Sequence, residues 1–188
     1  MLNSIGIFCG SSAGLNPLYL QAAEEIGAYF ASNQLTIVYG GGKVGLMGAV
    51  ADAALGHGGQ VIGVMPQSLV DKEIAHNGLT KLYVVKDMHE RKHKMATLSD
   101  AFLTLPGGAG TLEEIFEQWT WAQLGLHHKP CAFLNVNDYF SPLLSMIRRM
   151  AEEGFLKTDY LDMLIVEQQP EVLLQKFKHY QAPKHKWQ

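Results

Sequence analysis

"AFLTLPGGAGTLEE" occupies residues 101–114. Its first five residues carry no charge and read as a strand buried on both faces. A proline and three glycines then break the run. A threonine and two adjacent glutamates follow, opening a helix predicted over 111–125. A buried strand that passes through a glycine turn directly into a helix is half of a βαβ unit. Glycines let a backbone approach an anion closely, and the helix that follows begins with unpaired N–H groups and the positive end of its dipole. Paired carboxylates repel an anion. The stretch therefore predicts a site with two ends, one for an anion and one for chemistry.

The same order of elements recurs along the chain. "SIGIFC" (4–9) is a strand ending in Gly10, and Asn16-Pro17 opens a helix with Asn as N-cap and Pro at the first helical position. "LTIVY" (35–39) ends in Gly40-Gly41-Gly42 and leads to a small-residue helix over 45–58, where Gly and Ala permit close packing. Strands follow at 60–65, 81–86 and 131–136, with helices at 88–99, 139–153 and 170–180 and a short edge strand at 163–167. Apolar strands separated by helices predict an α/β fold, a Rossmann-like doubly wound parallel sheet with helices on both faces. Ligands of such sheets bind beyond the carboxyl ends of the strands, at the switch in strand order. The glycine turns at 10–14, 40–45 and 106–110 all lie at strand ends and are expected to converge on one crevice.

The chain has 188 residues, 47% hydrophobic and 18% charged, which suits a single domain over 1–188. A net charge of −3 gives no reason to expect a nucleic-acid or membrane surface. No run reaches the roughly 18 apolar residues a membrane span requires. The start "MLNSIGIFCGSS" lacks the basic region and cleavage site of a signal peptide. Cys9 and Cys131 each sit in an apolar strand and read as reduced core residues rather than a disulfide or metal pair. These features predict a cytoplasmic protein.

Three motifs compete for the chemistry. "GGGKVG" (40–45) fits G-x-G-x-x-G between a strand and a helix, but the next strand ends "GVMPQS", without the acid that would hold a ribose 2′-OH. The glycines can serve a phosphate contact or tight strand–helix packing. "HERKH" (89–93) matches the HExxH zinc pattern with His89 and His93 one helical turn apart. Arg91 and Lys92 would place two cations beside a dication, and no compact downstream motif supplies a third ligand, so these two residues read better as anchors for an anion. In "PGGAGTLEE" the functional reading competes with a capping box, T-x-x-E, in which Glu114 satisfies a backbone N–H near Thr111. Glu113 and Glu117 are i,i+4 neighbours on one partly solvated face.

Taken together, "CGSSAGLNPLY", "VYGGGKVGLMG", "EIAHNGLTKL", "DMHERKHKM", "LPGGAGTLEE" and "WTWAQLG" resemble the LONELY GUY (LOG) family of cytokinin-activating phosphoribohydrolases, often mislabelled lysine decarboxylases. The family signature PGGxGTxxE is matched by Pro106, Gly107, Gly108, Gly110, Thr111 and Glu114, with Ala109 at its free position. The resemblance implies hydrolysis of the N-glycosidic bond of a purine nucleoside 5′-monophosphate, an N6-substituted cytokinin nucleotide or AMP, to free base and ribose 5-phosphate. It implies Arg91 and Glu114 as the catalytic pair. It implies substrate contacts from Glu73, Arg91, Lys92, Gly107, Gly108, Ala109, Gly110, Thr111, Leu112, Glu113 and Thr120. No metal or organic cofactor is implied, and the expected assembly is a homodimer. Trp119 and Trp121 mark either its interface or a buried core face.

Overall fold

The computed structural model describes residues 2–72 and 74–184. Glu73, expected at the substrate, lies outside the described residues. Seven strands form one sheet: β1 (Ser4–Phe8), β2 (Thr36–Tyr39), β3 (Val61–Pro66), β4 (Lys81–Val85), β5 (Ala101–Thr104), β6 (Cys131–Leu134) and β7 (Leu164–Glu167). The helices are α1 (Pro17–Ser32), α2 (Gly45–Gly56), α3 (Gln67–Val70), α4 (Met88–Leu98), α5 (Ala109–Gln123), α6 (Ser141–Glu152), α7 (Thr158–Leu161) and α8 (Pro170–His179).

Every strand pair is parallel, and the spatial order is β4-β3-β2-β1-β5-β6-β7. The chain starts in the middle of the sheet, walks outward to β4, then returns to the other side of β1 with β5. Order therefore reverses between β1 and β5, where Phe8 lies opposite Thr104. In a doubly wound sheet that switch opens a crevice at the strand ends.

The strands alternate their side chains between two cores. Ile5, Ile7, Ile37 and Leu103 face α1, α2 and α8, packing with Ile26, Phe30, Val50, Leu173 and Phe177. Phe8, Val38, Phe102 and Phe133 face the opposite layer and pack with Met95, Ile115, Trp119 and Ile147. Each fully buried side chain of this kind contributes about 1.5–3 kcal/mol. A charge at Phe102, which is fully buried, would therefore cost the fold heavily. The two helices α1 and α2 meet at Gly27, where a Cβ would overlap the Val50 carbonyl, so small residues set their separation.

Local signals act as their chemistry predicts. Asn16 caps α1, its Oδ1 accepting the Leu18 N–H at 3.0 Å, with Pro17 in the first turn. Asp87 caps α4 by accepting from the His89 and Glu90 N–H groups at 3.0 and 2.9 Å. The short helices α3 and α7, four residues each, escape sequence periodicity because one turn has no repeat to detect. No helix among the described residues is long and apolar enough to cross a membrane.

Candidate active site

The three glycine turns meet at the β1–β5 switch. The Gly10 N–H donates to the Pro106 carbonyl at 3.0 Å, and the Leu46 N–H donates to the Gly10 carbonyl at 3.1 Å. Gly45 takes a φ of +60° and sits so tightly on Ser11 that a Cβ would overlap its backbone. A side chain at Gly107 would overlap the Thr111 hydroxyl, so the turn from β5 into α5 also requires glycine.

Two adjoining cavities result. One, about 250 Å³, is lined by Cys9, Ser11, Met47, Met88, Gly110 and Thr111, together with Arg91, Glu113 and Glu114. The other, about 320 Å³, lies between the 10–14 loop, Gly107, Tyr19 and Tyr139. Gly10, Ser11 and Gly108 are common to both.

α5 begins at Ala109, two residues before the predicted start, with Gly108 at the N-cap and no side-chain cap. Thr111 is thus already the third helical residue, and the capping-box reading fails. The first N–H groups of α5 are left facing the glycine loop, where an anion is stabilised. Freed from capping, Glu114 turns to Arg91.

Residues 91 and 92 are consecutive on α4, about 100° apart around its axis, so their cations address different partners. The Arg91 Nε donates to the Val64 carbonyl within β3 at 3.1 Å, and its Nη2 stands 3.7 Å from Glu114 Oε1. Both side chains are nearly buried. Gly40 makes this possible, because a Cβ there would overlap the guanidinium. The first glycine of "GGGKVG" therefore makes room for an arginine. The amides of that loop are partly occupied as well: Lys43 N–H donates to Ile74 and the Gly41 carbonyl accepts from His76.

Burial pushes the Glu114 carboxyl up to about 7, with Arg91 pulling the other way and Glu113 and Glu117 adding to the rise. A carboxyl poised near neutrality beside a fixed guanidinium is the arrangement expected of a working acid–base or electrostatic group. Cys9 lies beside it, and its thiol is pushed up first by burial and then by Glu114. A thiol so disposed is unreactive.

Lys92 differs from the sequence expectation. It is only 7% exposed, and its Nζ donates to Glu113 and, at 3.0 Å, to Glu117. Burial opposes its charge, but the hydrogen bonds to both glutamates outweigh that and its pKa lies above the ordinary lysine value. It does not line the 250 Å³ cavity. Ala109 and Thr120 are exposed on α5 outside that lining, and Leu112 packs toward the core. Trp119 is buried, its Nε1–H donating to the Tyr160 carbonyl at 3.0 Å, whereas Trp121 is partly exposed beside the His93 ring. Glu90 of "HERKH" accepts the Lys86 N–H at 2.7 Å and so serves the helix start. Among the described residues, no group of three His, Cys, Asp or Glu side chains is placed to hold a metal ion.

Met47 and Met88 escaped the sequence reading, Cys9 was read only as a core residue, and Ser11 entered only as part of the 10–14 turn. Their signal was positional: Cys9 and Ser11 flank Gly10 at the end of the first strand, where a switch point would open.

A doubly wound sheet whose glycine turns and buried Arg–Glu pair share one crevice belongs to the nucleotide-site α/β proteins. The family model described as "Possible lysine decarboxylase" matches residues 47–177. A cytokinin riboside 5′-monophosphate phosphoribohydrolase of Rhodococcoides fascians is 54% identical over 154 residues, covering 81% of this chain and 78% of that protein. LOG1 of Arabidopsis thaliana, of the same name, is 45% identical over 181 residues, covering 96% of this chain and 84% of its own. The chain belongs to the LOG family. Its fold is also that of the molybdenum cofactor carrier protein of Chlamydomonas reinhardtii, with a TM-score of 0.73 at 18% identity, covering 96% of this chain and 100% of the other.

Proposed function

We propose that the crevice hydrolyses the N-glycosidic bond of a purine nucleoside 5′-monophosphate, releasing free base and ribose 5-phosphate. The observation that carries this reading is the buried Arg91–Glu114 pair facing the free start of α5 across one cavity. The relatives named as phosphoribohydrolases support it.

The 5′-phosphate would lie against Gly107–Thr111, where the loop and the helix start offer N–H groups. Ribose C1′ then comes to Glu114. As the C1′–N bond breaks, its electron pair leaves with the base and positive charge builds at C1′. Ionised Glu114 stabilises that charge and accepts a proton from the water that adds to C1′. A guanidinium is a poor proton donor, so Arg91 offsets the negative charge of the departing base rather than donating to it. The base takes up the proton that Glu114 received, and the balance closes. Lysine-dependent decarboxylation is disfavoured: among the described residues no lysine lines this cavity, and the Nζ of Lys92, the lysine next to Arg91 on α4, is held by two glutamates.

We place AMP and its N6-isoprenoid derivatives in the same site. Met88 lines the cavity and is exposed, an apolar side chain suited to an isoprenoid group on the base. We also infer a homodimer working in the cytoplasm. Exposed Val84, Met88 and Leu126 give apolar side chains for a second copy to cover, and both cysteines are free thiols, as in a reducing compartment. Incubating the protein with AMP and with N6-isopentenyl-AMP, beside a Glu114→Gln control, tests the reaction by chromatography. Free base with ribose 5-phosphate, lost in the control, is the expected result. Binding without release of base would make the protein a nucleotide-binding module instead.

A further inference from the structure

Tyr139 lies outside the catalytic pair and outside every motif read above, yet it touches the glycine loop directly. Its hydroxyl donates to the Gly107 carbonyl at 2.6 Å. Its ring packs edge-on against Tyr19, with centroids 5.5 Å apart, and against Phe140 at 5.0 Å. The segment presenting it is unusual. Asn137 and Asp138 take positive φ values of 50° and 56° in succession, a conformation that costs non-glycine residues energy even when they are Asn or Asp. The segment is tied down on all sides. Asn135 Oδ1 accepts the Phe140 N–H at 2.7 Å, and Asp138 Oδ1 accepts from Ser141 and Gln168 at 3.3 Å each. A strained turn held by this many side chains places one hydroxyl on one carbonyl.

That carbonyl belongs to the peptide between Gly107 and Gly108. A trans peptide directs its C=O and N–H to opposite sides. With the Gly107 oxygen held toward Tyr139, the Gly108 N–H points away from it. Between two glycines such a peptide can flip at little steric cost, because neither residue has a Cβ. A Cβ on Gly108 would meet nothing within 4 Å, whereas one on Gly107 would overlap Thr111 and the Gly10 backbone, so the peptide is packed on its Gly107 side and open on its Gly108 side. A flipped peptide would aim a carbonyl oxygen where an anion is to bind.

We propose that Tyr139 is the positioning residue that locks the Gly107–Gly108 peptide with its N–H available to the substrate's phosphate. The inference rests on the proposed seat of the phosphate at Gly107–Thr111. Tyr139 does not touch the reacting atoms. It sets affinity for the phosphate end of the substrate and leaves the base end alone.

The test is inhibition of AMP hydrolysis by ribose 5-phosphate and, separately, by adenine, in the wild type and in Tyr139→Phe. Phenylalanine keeps both ring contacts and removes only the hydroxyl. The expected result is a KM for AMP and an inhibition constant for ribose 5-phosphate each about fivefold higher, in line with one lost hydrogen bond. Adenine inhibition and kcat should stay within experimental error of the wild type, and the melting temperature should fall by no more than about 2–4 °C. Equal weakening of both inhibitors, or no change in either, overturns the proposal. A wild type inhibited by adenine but not by ribose 5-phosphate would instead remove the phosphate from the loop, and the inference would fall together with that reading.

Discussion

Helices α4 and α5 are joined by two ion-pair systems one residue apart, and the two are built differently. Lys92 is gripped by Glu113 and Glu117 with hydrogen-bonded contacts, and Glu113 stays 56% exposed. Arg91 and Glu114 stand 3.7 Å apart, too far for a hydrogen bond, and their side chains are only 11% and 13% exposed. The tight system commits the Lys92 ammonium to two glutamates, while Glu113 still lines the cavity and Glu117 Oε2 is buried without a hydrogen-bond partner. The loose system holds two nearly buried charges without pairing them fully, which keeps both available. A hydrogen-bonded lysine suits a structural clamp, and two nearly buried charges held apart suit the proposed site.

That comparison can be broken at several points. Glu114→Gln should lower kcat by roughly 10³-fold, measured on AMP under saturation, because the transition-state charge loses its counterion. Retained turnover would end the proposed role. Arg91→Lys comes next, with kcat/KM down by roughly 10²-fold: an ammonium cannot reach the Val64 carbonyl and the site together as the guanidinium fork does.

The Glu114 carboxyl, pushed up to about 7 by burial, predicts that kcat/KM rises about tenfold per pH unit below 7 and levels off above it. The same shift has a stability consequence of defined sign. Between its ordinary value, near 4.5, and about 7, the unfolded chain has already released this proton while the folded chain retains it. Stability must therefore fall as pH rises through that window. Glu114→Gln should remove that fall and be more stable at pH 8 by on the order of 1–3 kcal/mol, read from denaturant unfolding.

The smallest effect on rate should come from Lys92→Met. Loss of the clamp leaves Glu117 partly buried beside Glu113, costing about 1–3 kcal/mol of stability, while kcat falls less than about tenfold. If this variant lost activity as fully as Arg91→Lys with stability intact, the division into clamp and site would be wrong.

The fold was readable because its signals are local. "AFLTL" and "SIGIFC" are uncharged runs ended by glycine, and Asn16-Pro17 states a helix start in two residues. The short turns α3 and α7 carry no such repeat. At the site, PGGxGTxxE and "HERK" pointed to residues that the fold brings to one crevice, yet spacing could not choose between a capping box and a glutamate free to face Arg91 at 114. That choice depends on where α5 begins, and Ala109 begins it because the Gly107 turn packs on Thr111 and Gly10. That Lys92 is bonded to two glutamates was not legible for a similar reason. Its partners are 21 and 25 residues away.

What the sequence determined alone is therefore the alternation of elements, the doubly wound class, the glycine turns and the identity of the chemical groups, since each follows from periodicity and backbone freedom within a few residues. Tertiary structure decided which cation faces which carboxylate, that Gly40 makes room for Arg91, and that Glu114 titrates near neutrality. Those outcomes depend on burial and on distances between helices far apart in the chain, and neither quantity exists until the sheet has assembled.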